Sequence, residues 1–119
     1  MLIGELATGQ ITGTLKDADL VRIPGTDLST FTFTLYDKIT RAIINSRSAV
    51  NVLTMSGASV SSASGTEGDF VIPLAAADNA IVNTARQNEE HVALLRFSTA
   101  SENGWAEVLI TVKNSLKIT

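Results

Sequence analysis

Strict alternation of apolar and polar residues in one short segment limits the possible folds of this chain more than any other feature. Between Thr30 and Tyr36, the residues Phe31, Phe33 and Leu35 alternate with threonines. Successive side chains of a β-strand point to opposite faces of a sheet, so this pattern gives one apolar and one polar face. A helix would scatter the same residues around its surface. The segment therefore predicts a half-buried strand.

Turn residues on both sides of this segment predict a hairpin. Before it, Pro24–Asp27 combines a proline with fixed φ and a glycine suited to positive φ, and Asp37-Lys38 follows it. We expect a returning strand to start at Arg41–Asn45, because a hairpin is a local contact with a low entropic cost of closure.

A second hairpin is predicted near the end of the chain. The runs His91–Ser98 and Trp105–Asn114 flank Ala100–Gly104, which ends in Asn103-Gly104. Both residues of that dipeptide tolerate the positive φ of a tight hairpin turn. The first run carries apolar residues on both faces, which is typical of a central strand. In the second run, the predicted core face consists of Ala106, Val108, Ile110 and Val112.

The segment between the two hairpins has weaker patterns. Ser56–Gly68 is rich in serine and glycine, which predicts either a mobile loop or a weak edge strand. Phe70, Ile72 and Leu74 then alternate, and Pro73 confines their strand to a sheet edge or to its own end.

Residues Ala75–Gln87 allow two interpretations. Their apolar spacing is compatible with a helix over the whole segment, whereas interruptions at Asn79 and Asn83, and at Asn88 directly after it, favour a short helical turn over Ala75–Asn79. We prefer the short turn because the longer helix lacks a strong cap.

Together these segments predict an all-β fold, an antiparallel immunoglobulin-like sandwich of about seven strands. A length of 119 residues fits a single domain over residues 1–119. Residues 1–13 are expected to form an N-terminal arm, since their apolar residues have no evident place in a monomeric core. The predicted core contains Phe31, Phe33, Leu35, Ile43, Phe70, Ile72, Val92, Leu94, Val108, Ile110 and Val112.

Composition excludes several classes of function. The net charge is -3 and the pI is about 5.0, so the chain lacks the basic character of a nucleic-acid-binding protein. Cysteine is absent, which removes disulfides, thiolate nucleophiles and cysteine-based metal sites. The N-terminus has no signal-peptide pattern, and no predominantly apolar run approaches the roughly 18 residues of a membrane span.

Catalytic, cofactor-binding and metal-binding motifs are also missing from the sequence. The chain has one histidine, His91, which we interpret as a surface or rim imidazole beside Glu89 and Glu90. No serine nucleophile elbow, phosphate loop or calcium loop is found. The aromatic residues, Phe97 and Trp105 among them, are assigned to core packing. We therefore predict a protein that is not an enzyme and that has no cofactor and no metal site.

The order of several strand and turn segments resembles a known group of proteins. The segments are Asp27–Asp37, Ile43–Arg47, Val50–Leu53, Leu74–Val82, Glu90–Phe97 and Glu107–Asn114. Over roughly residues 27–114 they resemble small virion structural proteins of tailed bacteriophages. The layout is also similar to immunoglobulin-like domains of phage baseplate adaptor proteins.

The resemblance implies a non-enzymatic bacteriophage virion structural protein, made in the host cytoplasm. We favour a capsid-decorating (cement) protein that binds the head shell, because a free-standing domain suits attachment to a preformed lattice. A tail, neck or baseplate adaptor is the first alternative, and a non-viral β-sandwich binding module is the second. The expected partners are the major capsid protein or tail proteins, with the chain as a homo-oligomer or bound to the lattice. The predicted partner-binding residues are Leu2, Ile3, Leu6 and Ile11.

Overall fold

A computed structural model describes residues 1–114, and residues 115–119, the end of the predicted single domain, lie outside the described residues. In the described part of the chain, eight strands form two sheets. The strands are β1 (Leu2–Gly4), β2 (Gly9–Thr14), β3 (Thr30–Asp37), β4 (Val50–Asn51), β5 (Ser59–Val60), β6 (Asp69–Leu74), β7 (Asn88–Ser98) and β8 (Asn103–Lys113). The all-β prediction is thus confirmed.

The larger sheet has the strand order β1-β8-β7-β3-β4, and the smaller sheet has the order β2-β6-β5. All of these pairs are antiparallel except β1 and β8, which are parallel. The expectation of an antiparallel arrangement therefore fails for one pair. The reason is that the chain enters along the outer edge of β8 and then crosses directly to the smaller sheet.

Both sheets contribute to one hydrophobic core, as the alternation predicts. Most residues of the predicted core are buried in it: Phe31, Phe33, Leu35, Phe70, Ile72, Ile110 and Val112. The rings of Phe31 and Phe70 meet edge to face with centroids 5.5 Å apart, which joins the two sheets.

The predicted core face of β7 is wrong. Register places Leu95 opposite Phe33 and Ala93 opposite Leu35, so the odd-numbered residues of β7 share the core face. Val92 is buried but lies on the other face, Leu94 is only half-buried, and Val108 is partly buried at the margin of the core. An error of one residue in choosing a face moves every side chain of a strand to the opposite side.

The predicted returning strand at Arg41–Asn45 is also wrong. Only one bridge forms there, between Tyr36 and Ile43, and the strand that pairs with β3 is β4. Four residues between 41 and 49 have positive φ and turn the chain repeatedly, so alternation does not apply in this segment. As a result Ile43 is exposed and Ile44 is buried in its place.

Residues 1–13 do not form a separate arm. β1 lies along β8, and β2 pairs with β6 over its full length. Ile3 and Ile11 are buried in the core, one from each sheet. The segment therefore connects the two layers.

The turn between β7 and β8 is formed by Thr99–Glu102. Asn103 and Gly104 are strand residues paired with Ser98 and Phe97, and neither has positive φ, so the predicted turn role of this dipeptide is wrong. Gly104 meets a different requirement, because a Cβ at this position would collide with the ring of Phe97.

In the middle of the chain, the observed elements are those that the weaker sequence patterns favoured. Ser56–Gly68 is mostly loop with the two-residue edge strand β5, and Pro73 lies near the end of β6, beyond the residues that pair with β5. The preferred short turn is confirmed as a 3₁₀ turn at Ala76–Asn79. Within residues 1–114, no helix has the length and apolarity needed to cross a membrane.

Candidate functional site

A cluster of ionisable side chains is buried at one end of the larger sheet. β7 places Glu89 and His91 on the same face, β3 places Asp37 directly opposite His91, and the loop before β7 supplies Arg86. Glu89, His91 and Asp37 are each at most 1% exposed. The prediction of a surface or rim imidazole at His91 is therefore wrong, because β7 lies between β3 and β8 and places the ring on the inner face of the sheet beside Glu89.

Hydrogen bonds join the members of this cluster to each other. The Nε2 atom of His91 lies 2.6 Å from Oε1 of Glu89. Nη1 of Arg86 donates to Oδ1 of Asp37 at 3.0 Å and to Oε2 of Glu89 at 3.3 Å. Glu89 also accepts the backbone N–H groups of Val82 and Asn83, at 2.7 and 2.8 Å. The cluster thus ties the loop before β7 to the sheet.

Asp37 remains a carboxylate well below neutral pH. Burial opposes its charged form, but hydrogen bonds from Thr40 and Arg86, together with the positive charge of Arg86, outweigh that effect and lower the pKa of Asp37. The backbone N–H and the hydroxyl of Thr40 both donate to Oδ2, at 2.9 and 2.8 Å.

The donor set of the cluster invites a test for a metal ion. One ligand atom each from Asp37, Glu89 and His91 lies within 4.8 Å of the others, and such groups bind zinc and similar cations. However, the guanidinium of Arg86 contacts both carboxylates and already supplies the positive charge. These contacts fit an internal ion network better than a metal centre, because a cation would have to displace the guanidinium from both carboxylates. They also fit it better than a substrate site, because the carboxylates are shielded from solvent.

A second buried ion pair lies beside the 3₁₀ turn. Arg47 donates from Nε and Nη2 to the two carboxylate oxygens of Asp78, at 2.8 and 3.2 Å. Asn45 and the backbone N–H of Ala75 complete the set, at 2.8 and 2.7 Å. Burial opposes the charge on Asp78, but the bonds from Arg47 and Asn45 outweigh it and lower its pKa. The same pair raises the pKa of Arg47.

The outer face of the larger sheet exposes three large apolar side chains near its edge. Trp105 and Leu109 lie on the outward face of β8, and Leu2 of β1 pairs with Thr111 on that face. Their exposed fractions are 68%, 48% and 63%. We call Leu2, Trp105 and Leu109 the β8 outer face. The assignment of Trp105 to core packing is wrong, because its odd position in β8 directs it away from the core.

A groove runs along the side of the molecule between the start of β8 and the segment that includes β2. Its volume is about 550 Å³, and its lining is mainly apolar. We call it the side groove. Its lining residues include Phe70, Phe97, Val108, Gly13 and Trp105.

The four residues predicted to bind a partner fall into two groups. Leu2 and Leu6 are exposed, whereas Ile3 and Ile11 are buried in the core and unavailable to a partner. The structure brings Leu2 close to the exposed part of β8, which the sequence reasoning missed. The sequence did contain a sign of this surface in the last strand, because Trp105 and Leu109 are large apolar residues on the face opposite the predicted core face.

In comparisons with known proteins, no family model, no curated protein and no solved structure matched this chain.

Proposed function

We propose that this chain is a non-enzymatic virion structural protein of a tailed bacteriophage, with an immunoglobulin-like sandwich fold. In this proposal it decorates the capsid as a cement protein and binds the head shell through the β8 outer face. The major capsid protein is its partner, and its copies occupy equivalent positions on the lattice. The resemblance of its strand and turn segments to small phage virion proteins supports this assignment.

The exposure of Leu2, Trp105 and Leu109 on one face carries the proposal. Isolated exposed apolar residues are ordinary, but large ones grouped at a sheet edge are typical of protein interaction sites. Tryptophan contributes more than most residues to protein interfaces. Binding through this face leaves the core untouched.

The chemistry of the buried cluster supports a non-enzymatic role. Asp37, Glu89 and His91 are each at most 1% exposed and so offer a substrate almost no accessible surface, and their partners hold both carboxylates. A general base must come within hydrogen-bond distance of the proton it removes. The cluster therefore acts on stability.

A paired substitution tests the proposal. Trp105→Ser with Leu109→Ser should leave the fold intact, since both side chains are exposed, and should reduce the copies of the protein on purified particles. Leu20→Ser with Leu53→Ser is the matched control, because these leucines are also exposed but lie outside the strands, Leu20 in a loop and Leu53 in the 3₁₀ turn at Val52–Thr54. Deletion of residues 1–9 is unsuitable, since it would remove β1 and the buried Ile3.

Electron cryomicroscopy of purified particles then separates the alternatives. Density on the icosahedral shell that disappears with the paired β8 variant supports decoration of the capsid. Density confined to the tail, neck or baseplate would favour an adaptor protein. Absence from particles would reject both assignments and favour a non-viral binding module.

A further inference from the structure

The edge of β8 is paired along only part of its length. β1 covers Thr111–Lys113, and the first residue of the chain extends this contact. The backbone N–H of Thr111 donates to the carbonyl of Met1 at 2.7 Å, and the N-terminal amine donates to the carbonyl of Leu109 at 3.2 Å. Over residues 103–108, β8 pairs only with β7 among the described residues.

The same bonds show which backbone groups reach the open edge. Within a strand, successive residues direct their N–H and C=O groups to opposite sides. Since Leu109 and Thr111 face β1, the odd-numbered residues Asn103, Trp105 and Glu107 direct theirs to the open edge. The even-numbered residues of this stretch face β7.

The core-facing side of β8 is also less buried over the unpaired residues 103–108 than over the residues that follow them. Ile110 and Val112 are buried, Val108 is half-buried, and Ala106 is exposed although it lies on the core face. The side groove begins where the cover ends, with Phe97 and Val108 in its lining. The open edge and the apolar groove are therefore adjacent along the same residues.

We propose that the side groove accepts an extended strand from a partner protein. The strand would pair with the backbone of Asn103, Trp105 and Glu107 and would place alternate apolar side chains in the groove. At about 3.3 Å per residue, the open edge accommodates roughly six residues. This inference rests on the proposed function only in requiring a protein partner.

Charge at the groove defines the partner further. Asp17 and Glu102 belong to the lining and Glu107 lies on the open strand, against one basic residue, Lys16, among the described lining residues. Basic residues flanking the apolar positions would complement this charge. A second copy is a poor partner, because pairing β8 with itself would bring the Glu102 and Glu107 side chains of both copies to one edge.

A synthetic peptide provides the probe. The peptide Lys-Val-Thr-Val-Thr-Val-Lys, with blocked ends, is titrated into the ¹⁵N-labelled full chain. We expect shifts and slower hydrogen exchange at the backbone amides of Asn103, Trp105 and Glu107. A peptide with glutamates in place of both lysines should bind at least about tenfold more weakly.

A matched pair of variants locates the binding site. Ala106→Arg should weaken peptide binding at least about tenfold, because it places a charged side chain in the groove. Ala85→Arg is the control, since Ala85 is also exposed but lies in the loop before β7. Both variants should keep the wild-type amide spectrum away from the substituted residue.

Two results would overturn the inference. The first is that the peptide does not slow hydrogen exchange at the amides of Asn103, Trp105 and Glu107. The second is that these amides are protected from exchange without peptide, that this protection rises with protein concentration, and that sedimentation shows dimers, because a second copy would then occupy the edge. Electron cryomicroscopy tests the proposed function independently. If the chain binds the peptide but is absent from particles, the proposed strand-binding groove stands and the virion assignment is rejected. If the chain is present on particles but does not bind the peptide, the virion assignment stands and the strand-binding groove is rejected.

Discussion

Replacement of Asp78 by alanine should lower the free energy of unfolding by about 3–5 kcal/mol, the usual cost of removing one partner of a buried ion pair. The carboxylate of Asp78 is fully buried and accepts from Arg47, Asn45 and the backbone of Ala75. It therefore fixes the loop after β3 to the turn after β6.

The contacts explain this magnitude. Each hydrogen bond to a charged group contributes about 1.5–3 kcal/mol, so a simple sum over the bonds to Asp78 would exceed the expected loss. Arg47 relieves part of the cost, because its side chain is 24% exposed and regains water when Asp78 is removed.

Urea denaturation followed by far-ultraviolet circular dichroism measures the effect. Fluorescence is a poor probe here, since Trp105 is already largely exposed in the folded protein. Glu90→Ala is the control because Glu90 pairs with Lys38 in an exposed salt bridge, and it should cost less than about 1 kcal/mol. A loss for Asp78→Ala below about 1 kcal/mol, or equal to that of Glu90→Ala, would refute the reasoning.

Three further predictions concern stability. The folded-state pKa values of Asp37 and Asp78 lie below the ordinary value of 3.8. The stability that these groups contribute is therefore present above that pH and is lost as the pH falls through their lowered pKa values. Urea midpoints that stay constant from about pH 5 down to about pH 2 would contradict this prediction. Gly68→Ala should destabilise by about 2–4 kcal/mol more than Gly65→Ala in the same assay, because both have positive φ but only at Gly68 would a Cβ lie 2.6 Å from a backbone carbonyl oxygen. Ile110→Asp should prevent folding, since it buries an unpaired charge, and a cooperative thermal transition in that variant would show the core assignment to be wrong.

Local patterns in the sequence were sufficient for the strands that form the centre of the fold. Alternation in Thr30–Tyr36 identified β3 and its core face, and the same pattern identified the inward residues Ile110 and Val112 of β8. The short turn after β6 also followed from local residues, because asparagines interrupt the helical spacing. These features depend on residues only a few positions apart.

Tertiary structure decided the positions where both faces of a strand are apolar or where distant segments meet. The alternation of β7 is compatible with either face, and only its pairing with β3 assigns Leu95 to the core and Leu94 to the margin. The open edge of β8 likewise depends on how far β1 extends along it. Neither property is encoded within the strand itself.

The buried cluster shows most clearly which features follow from the local sequence and which depend on the tertiary structure. His91, Glu89 and Arg86 are near neighbours in the sequence, but Asp37 comes from a strand some fifty residues earlier. From the sequence, adjacent charged residues are typical of a solvated surface, because burial of isolated charges is costly. Arg86 and the backbone N–H groups of Val82 and Asn83 donate hydrogen bonds to the carboxylates of the cluster, and the full compensation exists only once β3 and β7 have paired.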